Sequence, residues 1–309
     1  LLPKTQETEG QVPTTASLML ELIVDSANHN AQHLAQRQAA LAVCEEASVF
    51  HWPLAFPQVF AKGGFDCVLA NPPWERIKLQ EEEFFATRNA DIATAKNKAE
   101  RGQRIQWLSE GMLARHLYPE LNDNLDRITS ELRLYREFMI ARRTAEAASV
   151  FAHVKGEDGG RFPLTGVGDV NTYALFAETI LRIIHVDKGY AGFIVPSGIA
   201  TDDSTKAYFG HITQSGRLLS LYDLENREKL FAAVDSRMKF CLLTLGQAQR
   251  AEFAFFATAV SQLSDPRRRF TLTAEEFRLI NPNTLTCPVF RSERDAELTK
   301  KLYRAAPVL

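Results

Sequence analysis

One short segment limits how this chain can fold. Residues 65–78 read FDCVLANPPWERIK, in which an apolar run from Cys67 to Ala70 stops at Asn71. A short apolar run bounded by turn residues predicts a buried strand. The two prolines that follow lack a backbone N–H and cannot continue the hydrogen-bond ladder of a sheet. The segment therefore predicts a strand that ends abruptly in a stiff loop.

The rest of the chain predicts an α/β fold. After residue 170, predicted helices and strands alternate, with helices at 171–184 and 205–216 and strands at 189–199, 218–224 and 237–246. Such alternation predicts a mainly parallel sheet covered by helices on both faces. Upstream, residues 15–47 read as helical and residues 48–52 as a short strand.

Composition excludes several classes of protein. The 309 residues carry a net charge of −2, so no strong global field attracts nucleic acid, and 45% hydrophobic content is typical of a globular domain. No apolar run reaches the length of about 18 residues that a membrane-spanning helix needs. The four cysteines are widely spaced, which predicts no zinc site and favours a reduced, cytoplasmic protein. Cys67 and Cys241 lie in apolar runs and are predicted core residues.

The loop after the first strand has the chemistry to hold an amino group. Ligands of open α/β sheets bind beyond the carboxyl ends of the strands. Asn71 offers a side-chain acceptor, Pro72 offers a carbonyl, and Trp74 offers a flat apolar face. Two acceptors suit the exocyclic amine of a nucleobase, which must be flipped out of a duplex to be reached. The alternative is a plain proline turn that leaves a buried strand.

These residues carry a resemblance to a known family. FDCVLANPPW resembles motif IV of the amino-methyltransferases, above all the DNA adenine-N6 enzymes with the gamma order of motifs, and residues 171–199 and 224–245 resemble later parts of that family. The resemblance covers residues 48–78 and 171–246. Within these ranges the chain resembles large restriction-modification or phage-defence methylases. It implies a Rossmann-like S-adenosylmethionine-dependent methyltransferase sheet, present in part, with a large helical insertion.

The resemblance also implies a domain plan. We expect a methyltransferase core interrupted by the insertion, preceded by a helical lead-in and followed by a linker toward a target-recognition domain. The corresponding ranges are 1–47 for the lead-in, 48–74 and 171–246 for the core, 75–170 for the insertion and 247–309 for the linker.

Roles for single residues follow from the resemblance. The catalytic residues are Asn71, Pro72, Pro73 and Trp74, and Trp74 and Phe231 sandwich the flipped adenine. S-adenosylmethionine contacts Phe50, His51, Trp52, Asn71 and Tyr173, although the family often has an acidic residue where His51 stands, and Tyr173 also fits a helix core. The candidate contacts to DNA phosphates are Arg101, Arg104, Arg267, Arg268 and Arg269. Phosphate contacts give affinity without sequence readout. No metal site is predicted.

Two features leave alternatives open. The family's glycine-containing turn after its first strand has no match before residue 48, and the chain stops about sixty residues after the last matched segment, so we expect a fragment of a longer enzyme. The same loop occurs in enzymes that methylate a glutamine amide or a guanine amine of rRNA. Cytosine N4 is a further alternative acceptor, although Ser or Asp is more typical at the first loop position there. A non-catalytic DNA-binding or assembly module is the alternative of a different class. Double-stranded DNA and other subunits of a restriction or defence system are the expected partners.

Overall fold

The computed structural model describes residues 31–46, 48–120, 122, 124–155, 160–284 and 286–306. The chain divides into two compact units, residues 1–61 and 62–309. In the first unit, the described helices are α1 (Ala31–Glu46), α2 (Trp52–Ala55) and α3 (Pro57–Phe60).

Two predictions concern this first unit. The helix predicted over 15–47 is present from Ala31, and its earlier part lies outside the described residues. The strand predicted at 48–52 is wrong, because Trp52 already begins a helix. Pro53 and Pro57 stand in the first turns of α2 and α3, where a fixed φ favours the helix and the missing N–H costs nothing.

The second unit contains a six-stranded sheet in the order β1-β2-β4-β3-β5-β6. Its strands are β1 (Cys67–Ala70), β2 (Tyr190–Pro196), β3 (Leu218–Glu225), β4 (Lys239–Leu245), β5 (Ala251–Ala257) and β6 (Arg269–Leu272). Only the β1–β2 and β3–β5 pairs are parallel; β4 runs antiparallel between β2 and β3, and β6 runs antiparallel to β5. The α/β class is confirmed, but a mainly parallel sheet is not. The connection 226–238 contains a short 3-10 helix (Asn226–Glu228) and no α-helix to carry the chain across the sheet, so β4 returns beside β3 in the opposite direction.

The helices of this unit fall before and between the strands. They are α4 (Glu81–Ala86), α5 (Ala90–Ala93), α6 (Lys98–Glu110), α7 (Leu113–Leu117), α8 (Leu125–His153), α9 (Thr172–Ile183), α10 (Gly198–Thr201), α11 (Lys206–Gln214), α12 (Ala274–Ile280) and α13 (Glu293–Ala305). Within the described ranges, none of the helices combines the length and apolar character needed to cross a bilayer.

The first strand lies at the edge of this sheet. It pairs with β2, and its residues alternate between exposed and partly buried, with Leu69 82% exposed. The prediction of a buried strand is therefore wrong, and so is the core assignment of Cys67, which is exposed; Cys241, in the centre of the sheet, is buried as predicted. An apolar run alone does not distinguish an edge strand from a central one.

Most of the core lies on one face of the sheet. Val195, Leu243 and Phe253 from three strands share a buried cluster with Phe209 of α11 and Phe277 of α12. On the other face, alternate strand residues are only partly buried, among them Ile194, Tyr222 and Leu242. The sequence predicts helices on both faces of the sheet. The described helices instead cover one face much more fully than the other.

The predicted helical insertion corresponds to α4–α8. Its two ends are joined, because Ile77 N–H donates to Val170 O (3.1 Å) and Thr172 N–H donates to Glu75 O (2.8 Å). The helices have a hydrophobic core of their own, formed by Phe85, Ile92, Leu108, Leu113 and Phe138. The insertion therefore leaves the sheet and returns to it at one point, next to the Asn-Pro-Pro-Trp loop.

The C-terminal part is more integrated than a linker. Strand β5 pairs with β3, and β6 pairs with β5. Phe253 and Phe270 of these strands are buried in the same cluster as the centre of the sheet. The boundary predicted at residue 246 therefore cuts through one continuous sheet, which the apolar and aromatic residues after 250 complete.

Candidate active site at the end of strand β1

Asn71 lies directly after β1, at the carboxyl edge of the sheet. Its side chain is exposed, and its amide has no hydrogen-bond partner among the described residues. Pro72 is buried and Pro73 is exposed. Because proline restricts φ, the backbone beyond Asn71 has little freedom. The site thus presents an unpartnered amide on a rigid loop.

Helix α9 fixes this loop from outside. Thr172 Oγ1 donates a hydrogen bond to Pro73 O (2.8 Å) and accepts one from Glu75 N (3.2 Å). The carbonyl of Pro72, in contrast, has no donor within the described part of the chain. The Pro73 carbonyl is therefore used to position the loop, whereas the Pro72 carbonyl and the Asn71 side chain remain as acceptors for a ligand.

Trp74 follows the prolines and turns back onto the sheet. Its indole N–H donates to Ile194 O of β2 (3.3 Å). Its ring stacks on Phe240 of β4, with centroids 6.2 Å apart and planes 29° apart. Since the indole is anchored at both its N–H and its face, the orientation of Trp74 is set by two neighbouring strands.

Phe231 contacts Trp74 directly, whereas the family resemblance implies that the two rings lie on opposite sides of a bound adenine. The ring centroids are 5.8 Å apart and the planes meet at 72°, which is an edge-to-face contact. Phe231 also meets Phe240 edge to face, at 5.0 Å. The three rings form one aromatic cluster, and a base could lie between Trp74 and Phe231 only if these two rings moved apart.

Asn226 holds the loop that carries Phe231. It is fully buried. Its side-chain amide donates to Phe231 O (2.9 Å) and to Val234 O (3.0 Å), and its Oδ1 accepts from Phe231 N (2.9 Å). One buried amide therefore closes the turn from β3 toward β4. Because a buried amide must find partners for both its donor and its acceptor, Asn226 fixes the backbone of Phe231 at two atoms.

The predicted cofactor residues occupy different environments. Tyr173 is buried in the main core. Burial, and secondarily the charge of Asp202, raises the pKa of its hydroxyl to about 12. These observations favour the helix-core interpretation of Tyr173. In the first unit, Phe50 is 58% exposed and meets Trp52 edge to face at 5.0 Å. Trp52 itself is partly buried. His51 is also exposed.

The candidate DNA-binding arginines divide into two groups. Arg101 is buried and pairs with Glu82, and Arg104 donates to Glu100 (2.5 Å), so both have internal partners within the insertion. Arg269 is partly buried and donates to Leu263 O (2.8 Å). Arg267 is exposed, although Asp265 accepts two of its N–H groups, and Arg268 forms no ion pair with any described residue.

Three residues of the site were not identified from sequence. Thr172 and Asn226 position the two loops, and Phe240 supplies the surface on which Trp74 and Phe231 meet. A polar residue at the end of a strand or the start of a helix is a weak signal, because such residues cap elements in every fold. Phe240 lies in the apolar run of β4 and is indistinguishable there from core.

The comparison with protein families gives one match. Residues 14–104, less than a third of the chain, are similar to the family described as Eco57I restriction-modification methylase. The match includes strand β1 and the Asn-Pro-Pro-Trp loop. No curated protein is significantly similar to the chain.

Several solved structures are distantly similar. A methyltransferase subunit of a type I restriction-modification system from Streptococcus thermophilus is 11% identical, with a TM-score of 0.32, over 43% of this chain and 34% of that one. A modification subunit of a putative type I restriction enzyme from Vibrio vulnificus YJ016 is 11% identical, with a TM-score of 0.30, over 84% and 58%. A structure of an assembled type I system is 12% identical, with a TM-score of 0.32, over 47% and 39%. The chain thus spans about a third to three fifths of the length of these proteins.

Proposed function

We propose that this chain carries the catalytic loop of a DNA methyltransferase that transfers a methyl group from S-adenosylmethionine to adenine N6, within a restriction-modification or phage-defence enzyme. The observation that carries the proposal is a pair of acceptors at the end of β1, the Asn71 side chain and the Pro72 carbonyl. Neither receives a hydrogen bond from any described residue, and the indole of Trp74 lies next to them. The similarity of residues 14–104 to a restriction-modification methylase family supports it.

In this proposal the loop binds an amino group through its two hydrogens. Asn71 Oδ1 and Pro72 O each accept one N–H, which orients the nitrogen lone pair away from the loop. S-adenosylmethionine supplies an electrophilic methyl group when it is bound. The rate enhancement that the loop provides comes from orientation and from acceptors that are fixed before the substrate arrives. Pro73 has a positioning role, because Thr172 already uses its carbonyl.

The adenine ring is to be held by aromatic stacking. Trp74 keeps its orientation through Ile194 O and Phe240, so the movable partner is Phe231. Its loop, 226–238, is held chiefly by the buried Asn226. Parting the two rings admits a flipped base between them, and stacking contributes about 1–3 kcal/mol per base. This contribution offsets part of the free energy needed to unpair and unstack the base.

Partners follow from the same proposal. We infer that double-stranded DNA is the substrate, that Arg267 and Arg268 are candidate phosphate contacts, and that other subunits of a restriction or defence system assemble with the enzyme. We expect a cytoplasmic location because DNA and S-adenosylmethionine meet there. A non-catalytic methylase-like module remains the alternative.

The test is methyl transfer by the purified protein, as its gene encodes it, from tritiated S-adenosylmethionine to DNA. We expect Asn71→Ala to lower the rate by about 10²–10³-fold, the usual loss when one oriented hydrogen-bonding group is removed from an active site. Asn283→Ala, in an exposed turn, is the matched control and should transfer normally. An Asn71→Ala protein that methylates at the wild-type rate would refute the proposal. A wild-type protein that binds DNA without methylating it would favour the non-catalytic module.

A further inference from the structure

Phe256 has an unusual backbone for a residue in a strand. It lies in β5 with φ of 60°, in the left-handed region that residues with a Cβ seldom adopt. The register of the β3–β5 pair shifts just here, between Tyr222 and Leu224, which marks a bulge. Strained backbone of this kind is retained where the surrounding structure enforces it, and it often marks a functional position.

A buried carboxylate stabilises the bulge. Asp223 of β3 is 5% exposed. One of its oxygens accepts from the backbone N–H of Phe256 (3.4 Å), and the other accepts from the hydroxyl of Ser197, just after β2. The strained residue is therefore connected through Asp223 to the end of a second strand.

The bulge places an aromatic ring near two cations. Phe256 is only partly buried, the Arg291 guanidinium carbon lies 4.5 Å from its ring centroid, and Lys239 Nζ lies 5.8 Å from it. Both cations are exposed, and neither forms an ion pair with any residue in the described ranges. Arg268 lines the same open hollow of about 370 Å³, next to Phe256 and Arg291. The hollow thus combines a π-face with the guanidinium groups of Arg268 and Arg291, and Lys239 lies near the same ring. Asp265 also lines the hollow, where it is paired with Arg267 and interacts with the charge of Arg268.

This hollow adjoins the candidate active site. Lys239 is the first residue of β4, and its neighbour Phe240 is the residue on which Trp74 stacks. In the sheet, Lys239 pairs with Glu225 and Phe240 with Leu224, at the end of β3, and Leu224 in turn pairs with Ala257 of β5. Phe256 and Trp74 therefore both lie at the carboxyl edge of the sheet, and strand β4 connects them.

We propose that this hollow binds the DNA strand beside the flipped base, with Lys239, Arg268 and Arg291 on phosphates and Phe256 stacked on an unpaired base. The proposal rests on the proposed function for the identity of the polymer, but not on the nature of the methyl acceptor. Cations beside an aromatic ring fit a nucleotide, because a cation binds its phosphate and an aromatic ring stacks on its base.

The test is fluorescence anisotropy with a labelled duplex that contains one unpaired nucleotide, titrated at several salt concentrations. The plot of log K against log salt has a negative slope. Its magnitude should decrease by about 0.9, the value for one phosphate contact, in each of the variants Lys239→Ala, Arg268→Ala and Arg291→Ala. Phe256→Asn removes the ring while tolerating the left-handed backbone. It should weaken binding about 5- to 100-fold at an unchanged slope, and Phe256→Tyr should restore it. Arg278→Ala, on the exposed side of α12, is the control.

Two further measurements make the result decisive. Heparin carries charge but no bases, so its binding should fall with the cation variants and not with Phe256→Asn. The two proposals fail separately: if Asn71→Ala methylates normally while the hollow variants lose DNA binding, the proposed function is refuted and the inference about the hollow is supported. Wild-type affinity and slope in folded Arg291→Ala and Phe256→Asn, or no DNA binding by the wild-type protein, would overturn the inference.

Discussion

Thr172 donates its hydroxyl to the carbonyl of Pro73 (2.8 Å), across 99 residues of sequence. All helices of the insertion lie between these two residues. The same hydroxyl accepts from Glu75 N, and Thr172 N donates to Glu75 O. The start of α9 is therefore the support of the Asn-Pro-Pro-Trp loop, so the loop depends on both ends of the insertion being correctly joined.

Thr172→Val keeps the shape of the side chain and removes the hydrogen bonds that its hydroxyl forms, to Pro73 O and from Glu75 N. We expect the free energy of unfolding to fall by about 1–3 kcal/mol, since each hydrogen bond contributes about 0.5–1.5 kcal/mol, and methyl transfer to fall several-fold because the loop loosens. Thr179→Val is the control, since that hydroxyl donates within α9 to Leu175 O. Equal activity losses in the two variants would contradict a special role for Thr172.

Asn226→Asp should disrupt the loop of Phe231. The buried amide group faces the carbonyls of Phe231, Val234 and Asp235, and a carboxylate there would meet three acceptors without a donor. We expect the folded-state pKa of the new carboxyl to rise above its unfolded value. The stability of the variant relative to wild type should therefore fall as pH increases from the unfolded pKa, about 4, to the raised folded one.

Thermal unfolding of Asn226→Asp at pH 4.5 and pH 8 measures this dependence, with Asn283→Asp in an exposed turn as the control. The deficit in Tm should be larger at pH 8. A deficit that is independent of pH would show that the carbonyl cluster is not what Asn226 satisfies.

The four cysteines should differ sharply in reactivity. Cys44 and Cys67 are exposed, whereas Cys241 and Cys287 are buried. Burial raises the pKa of the Cys241 and Cys287 thiols well above the usual value. A disulfide reagent at pH 8 should therefore modify two thiols quickly in the folded protein and all four after denaturation. Rapid modification of Cys241 in the folded protein would contradict the placement of β4 at the centre of the sheet.

Lys300 and Glu276 form a nearly buried ion pair between α13 and α12. Lys300 is 2% exposed, and its Nζ donates to Glu276 Oε1 (2.8 Å). Burial opposes ionisation of Glu276, but the hydrogen bonds from Lys300 and the backbone of Thr273 outweigh it and lower the pKa of this carboxyl. Its contribution to stability is therefore present above its ordinary pKa of about 4.5 and is lost as pH falls through the lower folded value.

Lys300→Met should cost about 3–5 kcal/mol at pH 7, because Glu276 then lacks its main partner. The cost should shrink at a second, acidic pH below the lowered folded pKa of Glu276, where this carboxyl becomes neutral. Urea unfolding at the two pH values measures the difference, and Lys301→Met, on the exposed side of the same helix, should change little. A cost that stays constant with pH would contradict the pairing.

The spacing of apolar residues predicted the strands and helices between residues 171 and 246, because this spacing differs between a strand and a helix. They did not predict that β1 lies at an edge, since Cys67–Ala70 reads the same in an edge or a central strand. The predicted meeting of Trp74 and Phe231 came from family resemblance, and its edge-to-face geometry depends on Phe240, which sequence spacing does not reveal. Phe256 shows the same limit, because its conformation depends on Asp223, 33 residues away.

The central claim is that Asn71 and Pro72 present their acceptors to the amino group of adenine. The most direct measurement is mass spectrometry of nucleosides from the DNA of a methylation-free bacterial host that expresses the protein as its gene encodes it. We predict N6-methyladenine with the wild-type protein and none with Asn71→Ala, at equal amounts of folded protein. N6-methyladenine in both strains, or methylation of cytosine N4 instead of adenine N6, would contradict the account.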